Sequence, residues 1–143
     1  MNERDLARIA NATQCELPDG YQELLLNFPQ TLKALLQVEE KDSRHIFTDT
    51  ATIVRWNKFF RSPDYEYEDA YGEICTFPPH HIVIGATSGG DFFHLNTQRK
   101  RTTVLMWCHE GGELSTHAKD LSAFVRSIFK AAGDLAVDGL VLQ

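Results

Sequence analysis

Residues 81–110, HIVIGATSGGDFFHLNTQRKRTTVLMWCHE, constrain the fold more than any other part of the chain. Three short apolar runs, at 82–84, 92–95 and 104–107, are rich in β-branched or aromatic residues and bounded by breakers. That is the pattern of consecutive antiparallel strands. GATSGG has the composition of a phosphate-cradling loop, but such a loop needs a following helix whose amino end faces the phosphate. Asp91-Phe92-Phe93-His94-Leu95 follows instead and reads as a strand. The glycines are therefore expected to let a hairpin turn adopt positive backbone angles, and Asp91 to cap that turn. A meander without catalytic punctuation points to a binding module.

The 143 residues fit one domain spanning 1–143, long enough for a single core. An apolar content of 43% with 24% charged residues is ordinary globular composition and argues against disorder. No run of about 18 apolar residues exists, so no transmembrane helix is expected. The opening MNERDLARIANAT is charged where a signal peptide needs an apolar stretch, which makes a cytoplasmic protein the expectation. Cys15, Cys75 and Cys108 are an odd number at wide spacing, a pattern of reduced, buried thiols. The formal charge of −6 disfavours nucleic acid, whose binding relies on Lys and Arg, and favours a basic partner.

Upstream of the meander the periodicity is helical. Leu6, Ile9 and Ala10 predict one face of a first helix. Tyr21, Leu24, Leu25 and Phe28 predict a second, starting near Asp19 as its cap and ending at Pro29. Leu32, Leu35 and Leu36 predict a third short segment, and Ile46-Phe47 a brief buried stretch or strand. Asp49 is placed to cap a helix carrying Ile53, Trp56 and Phe60 on one face. From 61 to 79 the pattern dissolves into a loop closed by Pro78-Pro79. Arg99, Lys100 and Arg101 read as a solvated turn. Leu121, Phe124, Val125, Ile128 and Phe129 form the clearest helical stripe, with Gly133 as its stop signal and residues 135–143 unassigned. Trp107 is expected to be buried together with Leu121, Phe124 and Ile128. Helices, then a strand meander, then a helix describe an α+β domain with helices packed against an antiparallel sheet.

That order, with LPDGYQELLLNFP, FTDTATIVRWNKFFR, IVIGATSGGDFFHLNT, VLMWCHEGGEL and DLSAFVRSIF in succession, resembles the SMI1/KNR4 family of the SUKH superfamily. The resemblance runs from about Leu17 to Phe129. The tyrosine-acid loop before Pro78 and the segment after Gly133 depart from it. It implies a single α+β domain that binds other proteins. Bacterial members are regarded as immunity proteins that neutralise toxins, often nucleases, and fungal members as regulatory interaction proteins. The family has no shared catalytic motif to carry over, and Gly85, Gly89, Gly90, Asp91 and Trp107 fall at positions that look structural.

Three constellations invite a sharper reading. His80, His81, His94, His109 and His117 lie in or near the sheet region, but zinc needs three or four converging ligands. Adjacent residues such as His80-His81 or Cys108-His109 point to opposite faces of a strand, so neither pair can share one ion. Ser88 lacks a Gly-x-Ser-x-Gly context because residue 86 is Ala86, and Cys108 diverges from His109 for the same strand geometry. Asp91 and Glu110 flank two strands as a conceivable carboxylate pair. No catalytic, cofactor or metal site is assigned. A metal-dependent or hydrolytic enzyme built on these His and Cys residues stands as the alternative of another class.

Residues 64–73 carry more weight. Asp64, Glu66, Glu68, Asp69 and Glu73 alternate with Tyr65, Tyr67 and Tyr71. Tyrosine supplies contact area at low rotamer cost, and clustered carboxylates steer basic partners. The bland alternative is a solvated acidic loop whose tyrosines pack on the domain. The residues thus point to a non-enzymatic module binding a basic protein, with no nucleic acid and no membrane as partner, and the family resemblance implies that this partner is foremost a toxin domain. A regulatory or scaffold protein of the same fold is the runner-up.

Overall fold

Helix α1 (Glu3–Thr13) opens on a reciprocal cap: Asn2 Oδ1 accepts the Asp5 amide and the Asp5 carboxylate accepts the Asn2 amide, both at 3.0 Å. Its apolar face buries Leu6 and Ile9. Helix α2 (Asp19–Leu26) buries Tyr21, Leu24 and Leu25, but Asp19 is not its cap. Pro18 occupies that position, and its carbonyl accepts the Tyr21 and Gln22 amides, so Asp19 lies in the first turn as a favourable negative charge. The computed structural model describes residues 1–27, 44–69, 71–108 and 112–131. The expectations for Phe28, Pro29, the segment of Leu32, Leu35 and Leu36, His109, Glu110, Gly133 and residues 135–143 lie outside them, as does the Phe129 side chain.

Strand β1 (Arg44–Ile46) precedes helix α3 (Thr50–Phe60), which Asp49 caps by accepting the Thr52 amide at 2.8 Å. The stretch 61–79, expected as a loop, contains a two-stranded hairpin, β2 (Tyr67–Glu68) with β3 (Ile74–Cys75). Strands β4 (His81–Thr87), β5 (Phe92–Asn96), β6 (Val104–Cys108) and β7 (Glu113–Ala118) follow, then helix α4 (Leu121–Ala131). The main sheet is antiparallel throughout, in the order β1-β4-β5-β6-β7. The meander thus has a fourth strand, and β1 closes its other edge. Among the described residues, four helices accompany a five-stranded sheet and the small hairpin. This is the α+β arrangement that the sequence predicts.

The glycines divide by task. Gly90 turns the β4–β5 hairpin at φ +96°, as expected, and Thr87 Oγ1 accepts the Asp91 amide there at 3.1 Å. Gly85 lies inside β4, where a Cβ would run into the His45 carbonyl oxygen, so it permits the close approach of β1. A bulge between Val83 and Gly85 marks the same place.

The two faces of the sheet differ. On one, Ile82, Ile84, Phe93, Leu95 and Val104 join a core with α1, α2, α3 and α4. Phe93 stacks on Phe124 of α4 with centroids 4.8 Å apart, and His117 packs against both rings. Trp107 is not part of this core. Phe92 and Trp107 are cross-strand neighbours, as are Phe93 and Met106, so alternation sends Trp107 to the opposite face. It meets Phe60, Phe92 and Tyr67 there. The expected burial of Trp107 with Leu121, Phe124 and Ile128 is corrected by that parity.

Asn57 clamps α3 to the sheet. Fully buried, its Nδ2 donates to the Ile53 and Val83 carbonyls and its Oδ1 accepts the Val83 amide, each at 2.9 Å. Arg61, one turn on, donates to Asn57 Oδ1 and to the carbonyls of Thr13, Pro79 and His81. Burial lowers its pKa, with Cys15 opposing that shift.

Candidate functional site

The tyrosine-acid segment begins where α3 ends, and its path is set by a turn around Asp69. Asp69 Oδ1 accepts the Tyr71 amide at 2.8 Å and the Glu73 amide at 2.9 Å, and its main chain pairs with Glu73. These bonds, that from the Glu73 amide first, hold its carboxyl below the usual range. Gly72 supplies the left-handed residue the turn requires, at φ +79°. A second glycine seats the hairpin: a Cβ at Gly112 would lie 2.7 Å from the Glu68 carbonyl oxygen and 3.1 Å from the Tyr67 ring.

The eight residues singled out from the sequence fall into three groups. Asp64, Glu66, Glu68 and Glu73 are exposed. Tyr65 and Tyr67 fold back onto the domain. Tyr65 packs against Phe59 and Phe60, and Tyr67 against Trp107 at 5.4 Å. Burial, then the neighbouring Tyr67, pushes the Tyr65 pKa up to about 12, and burial also raises Tyr67. Tyr71 projects into solvent at 92% exposure, with Asp69 beneath it as the turn residue. Residues 62–80 hold these five carboxylates and neither Lys nor Arg. Phe59, Ile74 and Leu114 are also exposed, at 51%, 65% and 44%. Large apolar side chains thus stand exposed beside negative charge that no Lys or Arg of the segment offsets.

Beneath the hairpin the second sheet face forms a narrow ring-lined cleft with about 20 Å³ of free space, room for about one water molecule. Its walls include Tyr65, Tyr67, Phe92, Trp107, Leu114 and His94. His94, 2% exposed, places Nδ1 at 2.8 Å from His81 Nδ1, so one ring donates and the other accepts. Burial and then His81 depress the His94 pKa to about 3, and burial lowers His81 as well. His94 Nε2 and Trp107 Nε1 are buried without hydrogen-bond partners. The sequence reading missed this histidine pair. Val83 faces His94 across the strands, which makes His81 a diagonal neighbour, a relation visible only once the register is known.

The other histidines disperse. His80 is exposed, while His117 packs on the opposite face beside Phe93 and Phe124 and meets Arg44 at 3.2 Å. Among the described residues, no three His, Cys, Asp or Glu side chains converge as a metal set. Ser88 Oγ lies 3.3 Å from His45 Nε2 on an exposed turn. The three cysteines are free and partly buried rather than buried, with Cys15 Sγ 3.3 Å from the Pro79 carbonyl oxygen. No helix among the described residues is long and apolar enough to cross a membrane.

Comparison with known proteins agrees with the element order. Neither the curated proteins nor the solved structures gave a significant match. The model of the SMI1 / KNR4 family (SUKH-1), a family that includes immunity proteins and is generally non-enzymatic, matches residues 1–127. That match spans most of the 143 residues and takes in helices α1 to α3, the tyrosine-acid segment, the meander and the first part of α4. The chain belongs to the SMI1/KNR4 family.

Proposed function

We propose that this protein is a cytoplasmic immunity protein, a non-enzymatic single-domain module that neutralises a basic toxin domain by binding and occluding it. Asp64, Tyr65, Glu66, Tyr67, Glu68, Asp69, Tyr71 and Glu73 form its partner surface. The observation that carries the reading is Tyr71. Tyr71 is 92% exposed and Ile74 65% exposed on one hairpin braced by Asp69 and seated on Gly112, apolar area that a partner would remove from water. The carboxylates around it steer a basic protein, and the basic nucleic-acid groove of a nuclease toxin is such a surface. Family membership supports protein binding over catalysis.

The test is co-expression with a toxin domain encoded beside this chain, scored by survival and by direct binding of the purified pair. Rescue with a tight complex supports the reading. Toxicity that persists without complex formation overturns it and favours a regulatory or scaffold role on the same fold. Within the complex, removing charge at Asp64, Glu66 and Glu68 lowers the on-rate and flattens its salt dependence. Tyr71→Ala instead raises the off-rate by about 30-fold, equivalent to about 2 kcal/mol at a hot spot. Wild-type kinetics in both sets at low salt would place the interface elsewhere.

A further inference from the structure

We propose that the outer edge of β7, over Glu113–Thr116, receives an extended basic segment of the protein partner as an added strand of the main sheet. This rests on the partner-binding reading and specifies how the partner is held. Among the described residues, β7 has one strand neighbour, β6. Along such an edge, alternate residues turn their N–H and C=O groups outward, a template for another strand. All four residues from Glu113 to Thr116 are exposed. The usual guards of an edge are missing over this stretch. It holds no Lys and no Pro, and its register with β6 is unbroken from Glu113 opposite Cys108 to Thr116 opposite Leu105. The register then skips His117, and that irregularity ends the usable edge. The opposite edge is unlike it, since β1 has three residues and none of them is exposed.

Side chains select the segment. Leu114 lies opposite Trp107 on the ring-lined face, borders the cleft, and is 44% exposed. An apolar β-branched residue of a new strand would cover that area. Glu113 follows Gly112, on which the acidic hairpin rests. A Cβ at Gly112 would lie 2.7 Å from the Glu68 carbonyl oxygen and 3.1 Å from Asp69 Cα. Glu66 and Glu68 are exposed on that hairpin, so a Lys or Arg opposite Glu113 enters a field of carboxylates. The edge therefore continues the tyrosine-acid surface. A second copy of this chain is the poorer occupant, because its own β7, ELSTHA, brings no Lys or Arg to meet Glu113.

The test uses the full chain, labelled with nitrogen-15, and the capped peptide Val-Thr-Thr-Val-Lys-Lys. In antiparallel pairing, the rule throughout this sheet, the peptide sets a valine beside Leu114 and a lysine beside Glu113. Amide exchange at residues 113–116 is followed by NMR. The peptide binds with a dissociation constant on the order of millimolar. At about four times that concentration, two of the four amides, spaced two apart, exchange about five-fold more slowly. The other two face β6 and do not change. Methylating alternate backbone nitrogens of the peptide abolishes binding for one set of positions and spares it for the other. Glu113→Gln weakens binding about three-fold with an unchanged thermal midpoint. Slowing at adjacent amides, slowing at none of the four, or equal loss with both methylated peptides overturns the proposal. Amides already slow in the chain alone also overturn it, and a dimer by sedimentation then gives the edge to a second copy. Failure here with intact rescue in the survival assay removes the added strand and leaves the immunity reading. Strand addition without rescue retains the edge and removes that reading.

Discussion

The two faces of the sheet are built on different principles. The helix-covered face is filled by aliphatic volume and the Phe93–Phe124 stack, almost all inaccessible to water. The opposite face is filled by rings at angles to one another, around a cleft and two polar atoms without partners. Close packing favours a single arrangement of the first face. The second face packs less completely, with Tyr65, Tyr67 and Trp107 only partly buried. The contrast predicts that stability is concentrated on the helix-covered side of the sheet.

The largest effect is expected at the first face. Phe124→Ala should cost about 3–5 kcal/mol in denaturant unfolding, because the ring is wholly enclosed. Trp107→Ala should cost roughly half of that, since its ring is only partly enclosed. Equal losses would erase the distinction between the faces, and a loss below about 1 kcal/mol at Phe124 would mean that its packing is wrong.

Next comes the pH response of the second face. The folded His94 has its pKa lowered to about 3, whereas an unfolded chain returns it to about 6.5. Between those values the unfolded state binds the extra proton, so the stability from a neutral His94 is complete above pH 6.5 and lost as pH falls toward 3. The loss should reach roughly 3 kcal/mol by pH 4. Unfolding midpoints across that range, for wild type and His94→Phe, isolate the histidine from carboxylates titrating in both chains. Parallel pH curves would show that burial of His94 has no linkage to folding.

The smallest effect belongs to the hairpin that roofs the cleft. Asp69→Ala frees the Tyr71 and Glu73 amides, so these two should exchange with solvent faster while the global midpoint barely moves. Unchanged exchange would mean that the turn is held by contacts other than Asp69.

How much of this was legible in the sequence follows from which features have a period. Helices α1 and α4 and the three apolar strands were readable because one-sided burial writes 3.6-residue or short apolar patterns into the chain. Strand β7, ELSTHA, was not, because it is a mostly exposed edge strand without an apolar signature. The two-residue strands β2 and β3 are too short to carry any period. The sidedness of Trp107 was hidden because VLMWC is apolar at every position and therefore silent about parity. Asn57, between Trp56 and Lys58, carries no signal in the sequence for its role as a buried clamp, since only the tertiary fold brings the Val83 backbone to its amide. The acidic-aromatic segment was conspicuous in composition. Which of its tyrosines turn inward was decided by Trp107, Phe60 and Gly112, a glycine just before β7 and distant in sequence.

Gly112 has a consequence that reaches past this one molecule. At φ +60°, with room for no side chain beneath the Glu68 carbonyl, it acts as a mounting point defined by empty space. Residues fastened by what is missing below them are free to vary above. The exposed positions 64, 66, 71, 73 and 74 can therefore be rewritten without moving the platform on which they stand.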